Sequence, residues 1–286
     1  MKRFLLLSLA CLTGVALHAK SDNLRLMTFN IRLASPDDAG QQSWVARKKA
    51  CAKALEKQKP DLIGLQDAHF EHTSFLLSEL KKYQLVDRHE KPGALEPILD
   101  ANDNPILYRG DKFELLDYGI FWLNPSQTPL SKGWDASGVR NVTWVKLKFK
   151  HSGLIFFYFN TRFDPSGATA RTESAKLTAE KIKEIAGDDA VVFFGGDLNM
   201  PESHKGMKPL AAYLQSARTS VKKADQAETF NGFGKRQKNW YDHLFFRNAE
   251  ARSFDVIDES KYGVKYLSDH YPVCADFKIS TPKKKR

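Results

Sequence analysis

The stretch Val191-Val192-Phe193-Phe194-Gly195-Gly196-Asp197-Leu198-Asn199-Met200-Pro201 decides how this chain is read. Its first four residues are large and apolar without alternation, the pattern of a strand buried on both faces inside a layered α/β core. Two glycines end the run, and an acid and an amide follow. Asp197 and Asn199 are two residues apart, so extended backbone sends both side chains to the same side. Layered α/β proteins build sites where a buried strand delivers polar groups at its end. Glycine, aspartate and asparagine also form ordinary turns, so this stretch alone reads as a capped strand. Other strand ends decide between the two.

Outward from that strand, Leu24 to Ile31 alternates and reads as a strand ending near Asn30. Ser43 is placed to cap a helix that stops before Pro60. Leu62-Ile63-Gly64-Leu65-Gln66 is a second buried strand, delivering Asp67. A short helix is expected from about Thr73 to Lys82. The segments Pro105–Tyr108, Phe113–Phe121, Val139–Phe149 and Leu154–Thr161 are rich in aromatic and β-branched residues and read as strands. A helix from Ala170 to Ala186 precedes the Asp197 strand, and another follows around Met207 to Ala217. Trp240–Phe246, Arg252–Asp258 and Pro272–Ile279 close the chain as strands. Strands outnumber helices, and the helices fall between pieces of two strand sets. That order predicts two packed sheets with helices outside, in a single domain over residues 20–280.

The chain has 286 residues, 42% of them hydrophobic, enough for a substantial core. Residues 1–19 read as a secretory signal peptide: Lys2 and Arg3, an uncharged run from Phe4 to Leu17, then a small residue at a plausible cut. An exported protein, periplasmic or secreted, is expected; Cys11 as a lipoprotein cleavage site is a minor alternative. No other apolar run is long enough for a membrane span. The formal charge is +10, or about +8 without Lys2 and Arg3, and the tail at 281–286 carries Lys283 to Arg286. The excess weakly favours an anionic partner. Cys51 and Cys274 sit in apolar patterns and read as buried thiols. A monomer is expected.

Six places now offer polar groups at strand ends: Asn30; Asp67; Asn160 with Arg162 and Asp164; Asp197 with Asn199; Asp242; and Asp269 with His270. Oxygen donors without a Cys or His cluster suit a hard cation, Mg²⁺, Mn²⁺ or Ca²⁺, and not zinc. No Cys-x-x-Cys pair, P-loop, nucleophile elbow or dinucleotide glycine motif occurs. His69-x-x-His72 reads as a pair of exposed loop histidines without function.

Taken together, Met27-Thr28-Phe29-Asn30-Ile31-Arg32, Asp61-Leu62-Ile63-Gly64-Leu65-Gln66-Asp67, Asn160-Thr161-Arg162-Phe163-Asp164, Gly196-Asp197-Leu198-Asn199, Tyr241-Asp242-His243-Leu244-Phe245 and Ser268-Asp269-His270-Tyr271-Pro272-Val273 resemble the endonuclease/exonuclease/phosphatase superfamily of divalent-metal phosphoesterases. The segments Lys132–Asp135 and Thr229–Phe233 resemble an exported bacterial branch of it. The resemblance implies a four-layered α/β/β/α sandwich of two mixed sheets, with the site where the sheets open at one edge. It implies Asn30, Asp67 and Asp269 at a metal, Mg²⁺ or Mn²⁺ with Ca²⁺ as a third choice. It implies Asp197 orienting or deprotonating the attacking water, Asn199 on a phosphate oxygen, and His270, steadied by Asp242, on the scissile phosphate. Arg162, Asn160 and Arg140 are the expected substrate contacts, although Arg140 and Asp164 also suit structural roles.

Two positions depart from the family pattern. The family has Gln-Glu where this chain has Gln66-Asp67, a carboxylate one methylene shorter. It has His where this chain has Arg162, whose guanidinium yields no proton near neutral pH but clamps a phosphate with two hydrogen bonds. Two functions therefore compete. One is an exported, metal-dependent phosphodiesterase, phosphatase or nuclease acting on an anionic phosphoester. The other is a catalytically impaired relative that binds phosphate-bearing ligands or a protein. Lysines are scattered, with no basic–aromatic track, so nucleic acid is possible but not indicated.

Overall fold

The computed structural model describes residues 21–86, 104–235, 239–257 and 259–280. The proposed signal peptide and the basic tail lie outside the described residues. Among the described residues, twelve strands form two six-stranded sheets. They are β1 (Ser21–Asn30), β2 (Leu62–Gln66), β3 (Tyr83–Val86), β4 (Ile106–Arg109), β5 (Phe113–Trp122), β6 (Asn141–Phe149), β7 (Ile155–Arg162), β8 (Val191–Asp197), β9 (Gln215–Ser216), β10 (Asp242–Arg247), β11 (Glu250–Val256) and β12 (Val273–Ser280). One sheet runs β11-β12-β1-β2-β4-β3 and the other β5-β6-β7-β8-β10-β9. The helices are α1 (Trp44–Gln58), α2 (Phe70–Glu79), α3 (Ala168–Ala186), α4 (Lys208–Tyr213) and α5 (Ala217–Ser220).

Three apolar layers hold this stack together. Leu24, Leu26, Tyr158, Phe193 and Phe277 pack between the sheets. Met27, Phe29, Ile63 and Leu65 face Cys51 and Leu55 of α1 and Leu76 of α2. Phe157, Phe159, Val192 and Phe194 face Ala175 and Ile182 of α3. The run Val191–Phe194 thus divides by alternation: Phe193 enters the space between the sheets, and Val192 and Phe194 turn to the helix side. That is why this run carries no polar residue on either face. The order helix, sheet, sheet, helix is the four-layered sandwich the sequence predicts. Cys51 and Cys274 are free, buried thiols.

Several details differ from the sequence reading. The helix expected at Thr73–Lys82 begins earlier, at Phe70, directly behind the Asp67 strand. The expected helix at Met207–Ala217 breaks after Tyr213, where Gln215–Ser216 pair with β10. Ser43 precedes α1 but does not cap it through its side chain; its hydroxyl donates to the Gly40 carbonyl at 2.8 Å.

Each sheet contains one parallel pair joined through a helix, β1-α1-β2 and β7-α3-β8. Both pairs run in the direction that brings their C-terminal ends to one edge of the sandwich. The neighbouring antiparallel strands β12 and β10 therefore begin at that edge. Gly196 sits at the crowded end of β8 with φ +151, where an added Cβ would collide with the Thr161 carbonyl oxygen. Gly196→Ala is expected to lower stability by about 1–3 kcal/mol, the usual cost of overpacking. Urea unfolding measures it, and an unchanged midpoint would contradict this packing.

Candidate functional site

The shared edge explains why residues far apart in sequence meet. Asn30 closes β1, Asp67 follows β2, Arg162 closes β7 and Asp197 closes β8, while Asp242 opens β10 and Asp269-His270 lead into β12. Register makes this explicit: Arg162 and Asp242 are both Cα partners of Asp197, on its two sides.

Asp197 is wholly buried and sits at the centre. Its Oδ2 accepts hydrogen bonds from Asn30 Nδ2 at 2.9 Å, Asn199 Nδ2 at 3.2 Å and Arg162 Nε at 3.3 Å. Its Oδ1 accepts from the Asn199 backbone N–H at 3.0 Å. His270 Nε2 lies 3.8 Å from the same Oδ2. A buried carboxylate needs such partners, because an unpaired buried charge is strongly destabilising. Asn199 spends its amide on Asp197 and on the Phe163 carbonyl, 2.9 Å away. It therefore fixes Asp197 in this arrangement and offers no free N–H to a phosphate oxygen.

His270 Nδ1 is 2.7 Å from Asp242 Oδ2. The pair is steadied from both sides. Thr229 Oγ1 accepts from the Asp242 backbone N–H at 3.0 Å, and the Phe230 ring meets the imidazole edge-on with centroids 4.9 Å apart. Ser268 Oγ donates to the Asn30 carbonyl at 2.7 Å, tying the His270 segment to β1. Burial opposes charge on the imidazole, but Asp242 and Asp197 outweigh it and push its pKa up to about 10. His270 is thus an imidazolium at neutral pH, with Nδ1–H on Asp242 and Nε2–H aimed toward Asp197.

Asp67 and Arg162 meet across the sheets, Arg162 to Asp67 Oδ1 at 2.8 Å. Asp269 faces Arg32 at 3.5 Å, and Arg32 also forks onto Asp38 at 2.9 and 3.1 Å. The backbone is left-handed at Arg32 (φ 64), Asp67 (φ 53) and Asn199 (φ 49). Aspartate and asparagine tolerate that region; for Arg32 it costs roughly 1–2 kcal/mol. Such strain clusters where side chains must be aimed.

Asn160 and Arg140, expected as substrate contacts, are spent inside the protein. Asn160 is fully buried. It donates to the carbonyls of Leu65 at 2.7 Å and Asn104 at 3.0 Å, and accepts from Gln66 Nε2 at 2.7 Å. It is a polar staple between the sheets. Arg140 pairs with Asp164 at 3.0 Å. Asp164, far from being a simple turn residue, also accepts from the backbone N–H groups of Ser137, Ser166 and Gly167. Burial opposes its charge, yet those donors hold its carboxyl well below the usual range.

Sequence reasoning gave no role to Arg47 or His72. Arg47, buried within α1, donates to the carbonyls of Ile31 at 2.9 Å and Leu267 at 2.5 Å, lacing the end of β1 to the approach to Asp269. Its position, on the otherwise apolar inner face of α1, was the available signal. His72 is buried, not exposed: Nδ1 accepts from the His69 N–H and Nε2 lies 3.1 Å from the Arg32 carbonyl. Burial lowers its pKa to about 4, so it stays neutral and supports the strained Arg32 backbone.

The residues present do not fit a divalent cation at the position the sequence suggested. Both carboxylates of that set, Asp67 and Asp269, are ion-paired to arginines of this chain, and Asn30 Oδ1 accepts from the Arg32 N–H at 3.0 Å. Asp197, Asp242 and His270 each offer an atom within 4.8 Å of the others. His270 Nδ1 and Asp242 Oδ2 of that group are already engaged with each other at 2.7 Å.

The charge on His270 has a measurable consequence. A pKa raised from 6.5 to about 10 contributes stability that is complete below pH 6.5 and is lost as pH rises through 10. The stability difference between wild type and His270→Gln is expected to be flat below pH 6.5 and to shrink toward pH 10. Urea titrations across that range measure it, and a constant difference would contradict an imidazolium.

Comparison with known proteins gives the fold its relatives. A solved endonuclease/exonuclease/phosphatase from Bacteroides vulgatus is 29% identical, with a TM-score of 0.79 over 90% of this chain and 98% of that one. The Bacteroides thetaiotaomicron mannosyl-6-phosphatase is 26% identical, with a TM-score of 0.79 over 89% of this chain and 99% of that one. An uncharacterized protein, R895, of Acanthamoeba polyphaga mimivirus is 23% identical over 274 residues, 85% of this chain. This chain spans only 37% of the length of that curated relative. The sequence profile of the Endonuclease/Exonuclease/phosphatase family matches residues 27–270, and the chain belongs to that family.

Proposed function

We propose that this chain is an exported hydrolase of phosphate esters, acting on a small phosphomonoester such as a sugar phosphate. The observation that carries the reading is the buried Asp242–His270 pair at 2.7 Å, whose free Nε2 side faces Asp197 at 3.8 Å. Hydrolysis of a phosphate ester needs an oriented water, a proton for the leaving oxygen and positive charge around the phosphoryl oxygens. Asp197, held by Asn30, Asn199 and Arg162, orients the water. His270 carries the proton, and Asp242 fixes the ring so that Nε2–H points into the site. Arg162 adds a permanent positive charge. Its guanidinium has five N–H donors, of which the two ion pairs leave some for a phosphoryl oxygen.

The sugar-phosphate substrate class is supported by the mannosyl-6-phosphatase, similar over nearly its whole length. The scattered lysines do not favour nucleic acid. The Mg²⁺, Mn²⁺ or Ca²⁺ expected from the sequence is not carried into this reading, because arginines occupy its carboxylates. Export, to the periplasm or the medium, rests on the signal-like residues 1–19. Among the described residues no helix is long and apolar enough to cross a membrane. A monomer remains the proposed state.

One observation favours the second reading, a phosphate-ligand binder without turnover. Arg162 ties Asp197 to Asp67 and so restrains the water-orienting carboxylate. A panel of sugar phosphates, a phosphodiester and DNA, assayed in chelator and separately in Mg²⁺, distinguishes the two. Turnover is expected on a phosphomonoester, with a loss of roughly 10²–10⁴ in Asp197→Ala and His270→Ala. No turnover on any substrate, with inorganic phosphate still binding by calorimetry, would establish the second reading instead.

A further inference from the structure

We propose that Arg162 is the resident cation of this site, seated between Asp67 and Asp197 and taking over Asp67, a carboxylate that the sequence assigns to a divalent ion. The argument begins with reach. A single guanidinium touches Asp67 at 2.8 Å and Asp197 at 3.3 Å, carboxylates that follow β2 in one sheet and end β8 in the other. The side chain is largely enclosed, with 16% of its surface exposed. A planar guanidinium is charged at any accessible pH and matches carboxylates with fixed N–H directions, so it holds this seat permanently.

The contacts support the assignment: Arg162 touches both Asp67 and Asp197, whereas Arg32 is engaged with Asp38 and Asp269. The two departures from the family pattern are also one event in space. The carboxylate that is a methylene short, Asp67, is the one met by the side chain that is too long, Arg162. A magnesium ion demands oxygen at about 2.0–2.1 Å in octahedral array, and Arg162 already takes Asp67 Oδ1, one of the two oxygens that Asp67 could offer it.

This inference deepens the phosphoester reading, yet its test needs no substrate. Mn²⁺ alone is titrated by calorimetry into wild type, Arg162→Gln and Arg162→Lys. Wild type is expected to bind Mn²⁺ no tighter than about millimolar, the range of weak oxygen-ligand sites. Arg162→Gln is expected to bind it at least tenfold more tightly, and Asp67→Asn added to that variant should abolish the gain. Arg162→Lys keeps the charge and is expected to stay weak. Wild type binding Mn²⁺ as tightly as Arg162→Gln would overturn the proposal, and so would tight binding by Arg162→Lys. Should Arg162→Gln be too unstable to titrate, its thermal midpoint with and without Mn²⁺ is the readout. A rise confined to the variant supports the resident cation; a rise confined to wild type refutes it. Absence of phosphoester turnover alongside these outcomes would remove the hydrolase reading and leave the resident cation standing.

Discussion

One buried carboxylate governs this molecule. Asp197 is buried, and every donor that satisfies it arrives from a different segment: Asn30 from β1, Arg162 from β7, Asn199 from the turn after β8. Leaving such a charge unmatched would cost several kcal/mol, comparable to a large part of a domain's net stability. The strand ends are therefore held together by the requirements of one side chain. The contacts that aim the site also help to close the edge of the sandwich.

That arrangement is possible because of how parallel strands run. β1 with β2, and β7 with β8, all finish at the same edge, and the antiparallel β10 and β12 start there. The apolar layers make the rest of the sandwich dry, so polar groups accumulate where the sheets part. Polar staples then replace apolar packing. Asn160 bonds β7 to the end of β2, Ser268 bonds the His270 segment to β1, and Arg47 gathers carbonyls that no strand partner can reach. The same dryness strengthens electrostatics. It lets Asp242 and Asp197 hold His270 charged against burial, and it gives the Arg162 bridge its weight.

Much of this was legible in the chain. The runs at 191–194 and 24–31 announced strands, and the two sheets followed from their order; that the second is also buried on both faces from Leu26 on was hidden by its alternation. Each polar residue at a strand end was visible as a break in apolar pattern. Less legible was what those groups do once assembled. Asn160 and Arg140 carry the same chemistry whether they meet a ligand or a neighbouring carbonyl, and sequence spacing does not say which. His72 looked like loop surface, because the helix behind Asp67 starts earlier than its apolar pattern suggests: Phe70, 82% exposed, opens it.

The sequence by itself determined the layered α/β architecture and the polar residues at its strand ends, which follow from local periodicity, while the family resemblance implied that those ends share one rim. The tertiary structure alone decided the pairings. Which carboxylate meets which cation depends on distances between side chains separated by up to a hundred residues or more, and those distances exist only after the sheets have packed. Asp67 and Arg162 are two unrelated oddities on paper and a single ion pair in space, because a short acid on one sheet and a long base on the other span the gap together.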